Sequence, residues 1–438
     1  MKIRSLLERI LPPHTRSVFR GMATLASGSL IGRVLGVISA PFITRIYTPE
    51  DYGTASVFIA LVAITAPFLN LRFAQAIPLP RSDKLAARLA HVSIASTLIL
   101  TFIVGGFLAL SSESLLVWLS PPQLLPWWWL ILLGAVAISI FEVFSMWATR
   151  ARAYGAISRA TVLQAVSGEL IKVTLGILEL RPLGLMLGSI GNQAAGISAL
   201  FIYGKAALLR ALGSTTLRNL YCTVLLYRAY PTTRLASHIL LVISMQAPVI
   251  LIAKLYGSDA AGQFGLAMMA LAVPVTMLGD NISRAYYAEI SHLGRRRANE
   301  VRQLTYSVLA RLLAISLPCA LPLVFWGADL FTLVFGGEWT QAGKISSFLA
   351  ITMVAQFLQK PASFLLFLFN GQTKLFYINL QRLVLTIGAV GMASALSLSV
   401  EHGIAIYASV IALHYFASIV IAVHQIPRDP QNASPPNY

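Results

Sequence analysis

The chain has 438 residues, of which 57% are hydrophobic and 11% charged, and its mean hydropathy is +0.74. Soluble domains carry about 25% charged residues, so these figures exclude a soluble enzyme or nucleic-acid-binding protein and place the chain in a bilayer. The net charge of +17 is then a topology signal, and the two cysteines, Cys222 and Cys319, have no metal-ligand spacing.

Residues 1–21 contain Lys2, Arg4, Arg9, Arg16 and Arg20 without a signal-peptide cleavage pattern, so the N-terminus is expected to stay in the cytoplasm and the first span to be retained. Twelve spans are predicted, at about 22–44, 53–72, 86–110, 126–148, 157–179, 184–204, 235–256, 260–283, 303–326, 344–369, 374–399 and 402–425. Each is long enough, at 1.5 Å per residue, to cross a hydrocarbon core roughly 30 Å thick. The predicted organisation is an all-α polytopic membrane protein. A six-helix lobe over 22–204 is followed by a cytoplasmic linker over 205–234, a second six-helix lobe over 235–426 and a proline-rich cytoplasmic tail over 427–438, expected to be disordered. In the linker Leu217, Leu220, Tyr221, Val224 and Leu225 recur at helical spacing, which predicts a helix on the inner membrane surface.

Alternate connecting segments collect the basic residues. With the N-terminus inside, 25 of the 33 fall on the inner side, among them Arg72, Arg81, Arg150, Arg284, Arg295, Lys374 and Arg382. Only Arg45, Arg181, Lys254 and Lys344 fall outside, where Glu50, Asp51, Asp259, Glu338 and Glu401 gather, as the positive-inside rule requires. Both termini are therefore expected in the cytoplasm.

The connection between the first two spans, Arg45-Ile-Tyr-Thr-Pro-Glu-Asp-Tyr-Gly53, recurs 209 positions later as Lys254-Leu-Tyr-Gly-Ser-Asp-Ala-Ala-Gly262. Arg45 matches Lys254, Tyr47 matches Tyr256 and Gly53 matches Gly262. An offset near half the chain length predicts a parallel internal repeat, as in transporters built from two related bundles. The two turns are expected to be equivalent outer hinges, with Gly53 and Gly262 allowing a tight backbone.

Charges inside spans carry the functional signal, because each is costly in lipid. Arg33 lies near the middle of the first span beside Gly28, Gly32 and Gly36, which form one flat face suited to close helix contact. It either faces a bundle interior or is a buried arginine satisfied by carbonyls or a carboxylate. Glu169 and Lys172 can pair three residues apart, as can Asp280 and Arg284 at four. Arg311, Lys360 and Glu142 have no opposite charge at helical spacing, and Lys360 stands beside Pro361 with Gln356 and Gln359 nearby. His238 and His414 read either as groups titrating near neutral pH or as hydrogen-bonded packing residues. Four intramembrane cations (Arg33, Lys172, Arg311, Lys360) thus face three carboxylates (Glu142, Glu169, Asp280). No nucleophile motif, metal-binding spacing or phosphate loop stands out, so the reading is a non-enzyme without cofactor.

The run Ser27-Gly-Ser-Leu-Ile-Gly-Arg33, the turn Tyr47-Thr-Pro-Glu-Asp-Tyr-Gly53 and the exit Asn70-Leu-Arg-Phe-Ala-Gln-Ala-Ile-Pro-Leu-Pro80 resemble Wzx-type oligosaccharide flippases, of the superfamily that also contains multidrug exporters (MATE). The resemblance implies two six-helix lobes around a cavity open to one side at a time. It implies a polyprenyl-diphosphate-linked oligosaccharide as substrate, moved to the outer leaflet of a bacterial inner membrane for O-antigen or lipopolysaccharide assembly. Arg33 is the position onto which the diphosphate-holding role is carried, helped by Arg311, Lys360 or Lys172, with Glu142, Glu169 and Asp280 as candidates for coupling to a proton or sodium gradient or to the membrane potential. The implied partners are membrane lipids, a polysaccharide polymerase and other assembly proteins. The seventh span has no arginine matching Arg33; only His238 lies near. The alternatives are a drug/cation antiporter of the same fold, whose site should be net acidic, and a membrane-embedded glycan polymerase or ligase, which would need a longer outer loop.

Overall fold

The computed structural model describes residues 13–119, 121–212, 216–369 and 372–427, and every regular element among them is helical. The basic segment before residue 13, Gly213 of the linker and the tail from Arg428 lie outside the described residues. In chain order the helices are α1 (Pro13–Ile46), α2 (Pro49–Leu69), α3 (Asp83–Leu119), α4 (Trp128–Arg150), α5 (Tyr154–Ile177), α6 (Leu183–Leu212) and α7 (Leu217–Leu226). They continue as α8 (Leu235–Pro274), α9 (Asp280–Leu293), α10 (Ala298–Phe335), α11 (Thr340–Leu368), α12 (Gln372–Ala395) and α13 (Val400–Val423).

Among the described residues eleven helical segments are long and apolar enough to cross a membrane. One of them, Tyr230–Leu293, has 64 residues, far more than the ~20 one crossing needs, and Gly257 (φ 93°, ψ 170°) breaks α8 inside it. Dividing that segment gives the twelve crossings the sequence predicts. The break needs glycine, because a side chain at that φ would meet its own backbone. The first connection turns differently. Thr48 accepts from the Asp51 amide at 3.2 Å, Asp51 Oδ2 accepts from the Thr48 amide at 3.0 Å, and Pro49 occupies the first helical position, so Thr-Pro-Glu-Asp is a reciprocal cap that starts α2.

The chain forms two compact units. The first comprises Met1–Ile46, Leu61–Val117 and Leu124–Ile239. Its core gathers Phe73, Ile77, Leu89, Val143, Phe144, Trp147, Leu200 and Tyr230. Small residues bring its helices together, as expected where lipid supplies no hydrophobic drive: a Cβ on Gly168 of α5 would stand 2.9 Å from Asn192 Cβ of α6. The linker helix α7 is capped by Thr216, whose side chain accepts from the Asn219 amide. The structure divides its apolar residues between two faces. Leu220 and Val224 pack on the unit's core, while Leu217, Tyr221 and Leu225 are exposed.

The second unit comprises Tyr47–Ala60, Trp118–Gln123 and Leu240–Tyr438. Its core runs through Ile252, Phe264, Ile290, Ile345, Phe357, Leu365, Ile404 and Ile411. Here α10 and α11 meet backbone to backbone: a Cβ on Gly327 would lie 2.6 Å from Gly343 O. Thr352 of α11 donates to Ala408 O of α13 at 3.0 Å.

Candidate functional site

The glycine face of α1 packs on α5 over half its length. A Cβ on Gly28 would overlap Ser158, standing 2.7 Å from its Cα, and one on Gly32 would touch Thr161 at 3.5 Å. Gly36 has nothing within 4 Å, so the predicted face stops short of it. Ser39 takes over, donating to Glu169 Oε2 at 2.8 Å, and Glu169 Oε1 accepts from Lys172 Nζ at 2.8 Å. The predicted Glu169–Lys172 pair is therefore formed, with α1 attached to it. Arg33 follows Gly32 on the flank of this seam and is half-buried.

Glu142 of α4, which has no partner on its own helix, meets the exit of α2. Asn70 Nδ2 donates to Glu142 Oε2 at 2.8 Å, and Arg72 Nη1 lies 3.4 Å from Oε1. Leu71 and Arg72 adopt left-handed backbone (φ 49° and 60°), a conformation costly for residues with a side chain. Asn70 Oδ1 holds it by accepting from the Arg72 amide at 2.8 Å. A few residues on, Arg150 of α4 donates to Pro80 O, to Arg81 O at 3.1 Å and to Asp83 Oδ1 at 2.8 Å. The motif Asn70–Pro80 is thus a connection pinned at both ends by charged side chains of α4.

In the second unit Lys360 Nζ meets Asp280 Oδ1 at 2.5 Å. Asp280 opens α9 directly after a π-helical turn, Val275–Gly279, that follows Pro274; such turns shift the register of the helix and frequently mark functional positions. The cross-helix partner is Lys360, while Arg284, the predicted i,i+4 partner, is exposed. Arg311 is exposed on α10. Of the four predicted cations, Arg33 and Lys172 belong to the first unit and Arg311 and Lys360 to the second.

The two repeated turns meet in the second unit, and their glycines act differently from the expectation. Gly53 and Gly262 are helical, not turn residues, and each faces the backbone of the other's helix. A Cβ on Gly53 would overlap Ser258 O and stand 2.8 Å from Gly262 N; one on Gly262 would overlap Pro49 O and stand 2.9 Å from Gly53 N. These two contacts exchange under the same 209-residue offset, as do Ser56 and Gly265, which also meet. The repeat therefore produces a local two-fold seam, and the glycine at which the helical backbone breaks is Gly257. Of the other matched residues, Arg45 Nη1 donates to Pro41 O at 2.6 Å, Tyr47 is fully buried, and Tyr256 lies against Gly403. Lys254 is exposed one turn before the break.

Sequence reasoning missed Arg382. Counting charges by segment placed it on the inner side, although it stands near the middle of α12 and is 7% exposed. Its position inside the predicted span 374–399 was the available signal. Adding Arg382 gives five cations against the three carboxylates.

Two sets of repeated crossings, with ion pairs and surplus cations inside them, define a multi-pass membrane transporter. Among solved structures of this architecture, an inward-facing multidrug-resistance transporter of the MATE family matches with TM-score 0.62 at 14% identity, covering 91% of this chain and 93% of that one. The lipid II flippase MurJ in an inward closed conformation matches with TM-score 0.62 at 12% identity, covering 91% and 86%. The MATE transporter ClbM, in complex with Rb+, matches with TM-score 0.51 at 15% identity, covering 94% and 95%. At such identities these likenesses establish the fold alone. No curated protein matches the sequence. A family model described as "Polysaccharide biosynthesis protein" matches residues 42–344, more than half of the chain, and the chain belongs to that family. The Wzx-type resemblance of the first 90 residues holds at that level.

Proposed function

We propose that the protein moves a polyprenyl-diphosphate-linked oligosaccharide from the cytoplasmic to the outer leaflet of a bacterial inner membrane by alternating access, with both termini cytoplasmic, for surface polysaccharide such as O-antigen. The observation that carries this reading is the surplus of cations inside apolar crossings in a chain of the polysaccharide biosynthesis family. A diphosphate brings about two negative charges into a path where lipid offers no donors, so guanidinium and ammonium groups must supply them. Arg33 holds the diphosphate, with Arg311, Lys360 and Lys172 as auxiliary cations. Glu142, Glu169 and Asp280 are the candidates for coupling to a proton or sodium gradient or to the membrane potential, and each would first release its present cation. A polysaccharide polymerase and other assembly proteins act on the product.

The test is surface glycan in a flippase-deleted strain complemented with each variant, with protein level followed by blot. Arg33→Ala is expected to abolish glycan at normal abundance. Arg33→Lys keeps the charge but loses the planar fork and is expected to retain partial activity. Full complementation by Arg33→Ala would remove Arg33 from the substrate path.

A further inference from the structure

Inside the second unit one arginine is enclosed by protein and has no carboxylate beside it. Arg382 donates from Nε and Nη2 to Ser244 Oγ, from Nη2 to Leu241 O at 3.3 Å, and from Nη1 to Tyr415 Oη at 3.5 Å. Among the described residues no Asp or Glu lies within ion-pair distance of it. The contributing residues are central in their helices. Arg382 is ten residues from the start of α12, Ser244 nine from the start of α8, and Tyr415 eight from the end of α13. Each head therefore stands about 12–15 Å of helix from the nearer end. A guanidinium at that depth is costly, and here two hydroxyls and one backbone carbonyl accept from it without balancing its charge.

The groups around it are donors that lack acceptors. His414 is 3% exposed and neither ring nitrogen is hydrogen-bonded. Thr386 Oγ1, one turn along α12 from Arg382, is fully buried and likewise unpaired. The His414 ring lies 5.8 Å, centroid to centroid, from that of Tyr415, whose hydroxyl accepts from Arg382. In either tautomer the neutral imidazole offers one N–H, and Thr386 and Tyr415 each offer an O–H.

We propose that Arg382, Thr386, His414 and Tyr415 hold a small monovalent anion of chloride's size. One negative charge balances the single guanidinium and accepts from donors that the protein leaves without acceptors. All four side chains are closed off from solvent. The ion ties α12 to α8 and α13, and the inference does not depend on what the protein transports.

The test uses the purified full-length protein in detergent, with chloride replacing gluconate at constant sodium concentration and ionic strength. Wild-type Tm is expected to rise with chloride and saturate, as for any ligand that binds only the folded state. Thr386→Val and His414→Leu are each expected to raise the half-saturating chloride concentration at least tenfold, and Arg382→Met to abolish the response. Bromide-soaked crystals should show an anomalous peak beside Arg382. Equal wild-type Tm in chloride and gluconate would overturn the site. So would an undiminished chloride response in Arg382→Met or, where that variant does not fold, in both Thr386→Val and His414→Leu.

Discussion

Gly262→Ala tests the seam between the repeated turns. The added Cβ would overlap Pro49 O and lie 2.7 Å from Pro49 C and 2.9 Å from Gly53 N, all backbone atoms that no side-chain rotation can move. Carbon atoms in contact prefer about 3.5 Å or more, so relieving the Pro49 C contact alone takes roughly 0.8 Å of separation, and the overlap with Pro49 O takes more unless the backbones bend. Overpacking of this kind costs about 1–3 kcal/mol, and the upper end applies because the obstacle is backbone. Gly53→Ala meets the equivalent obstacle at Ser258. Because one separation relieves both clashes, the double variant should cost clearly less than the two single costs together. Gly36→Ala, with nothing within 4 Å, is the control, expected to be neutral or to stabilise by up to about 1 kcal/mol through helix propensity. The assay is equilibrium or thermal unfolding of the purified protein followed by tryptophan fluorescence. A Gly262→Ala variant no less stable than Gly36→Ala would refute the seam.

Two further outcomes follow from charged groups. Glu142→Ala leaves Arg72, whose side chain is 11% exposed, and the fully buried Asn70 without their acceptor. The expected loss is about 3–5 kcal/mol, of which a second change, Arg72→Leu, should recover a large part; simple additivity in that unfolding cycle would contradict the pairing. Asp259 lies in the turn between two crossings, and burial, then Glu50 and Glu338, hold its carboxyl above the ordinary 3.8. A raised folded-state value means stability that is full below the unfolded value and lost as pH rises through the folded one. Wild type should therefore fall in Tm relative to Asp259→Asn as pH climbs above that ordinary value, and parallel curves would refute the assignment.

The twelve crossings were legible because span length is a property of consecutive sequence. The repeat was legible because the same cation, tyrosine and glycine recur at one offset. The role of its glycines was not: spacing shows that Gly53 and Gly262 correspond, whereas only the packed structure shows that each faces the other's backbone. Helical periodicity finds partners on one helix, so it found Lys172 for Glu169. It could not find Arg72 for Glu142 or Lys360 for Asp280, which are separated by 70 and 80 residues. The end of the α1 glycine face at Gly36 was hidden for a similar reason, since the neighbour that ends it, Ser39 with Glu169, belongs to two helices.

These cross-helix pairs bear on how transport would proceed. The Lys360 ammonium is a compact charge on a flexible stem, able to leave a carboxylate for a diphosphate, and its departure would expose Asp280 to a proton or cation. On this reading the Asp280–Lys360 pair connects substrate arrival with ion uptake. If the pair only fills space, removing both charges together should be harmless, because neutral isosteres of a buried pair are often tolerated. The double variant Asp280→Asn/Lys360→Met is therefore expected to fold with near wild-type stability yet fail to support surface glycan, whereas Lys360→Met alone should also lose stability by leaving Asp280 without its cation. Wild-type glycan from the double variant, at normal protein level, would reduce the pair to packing.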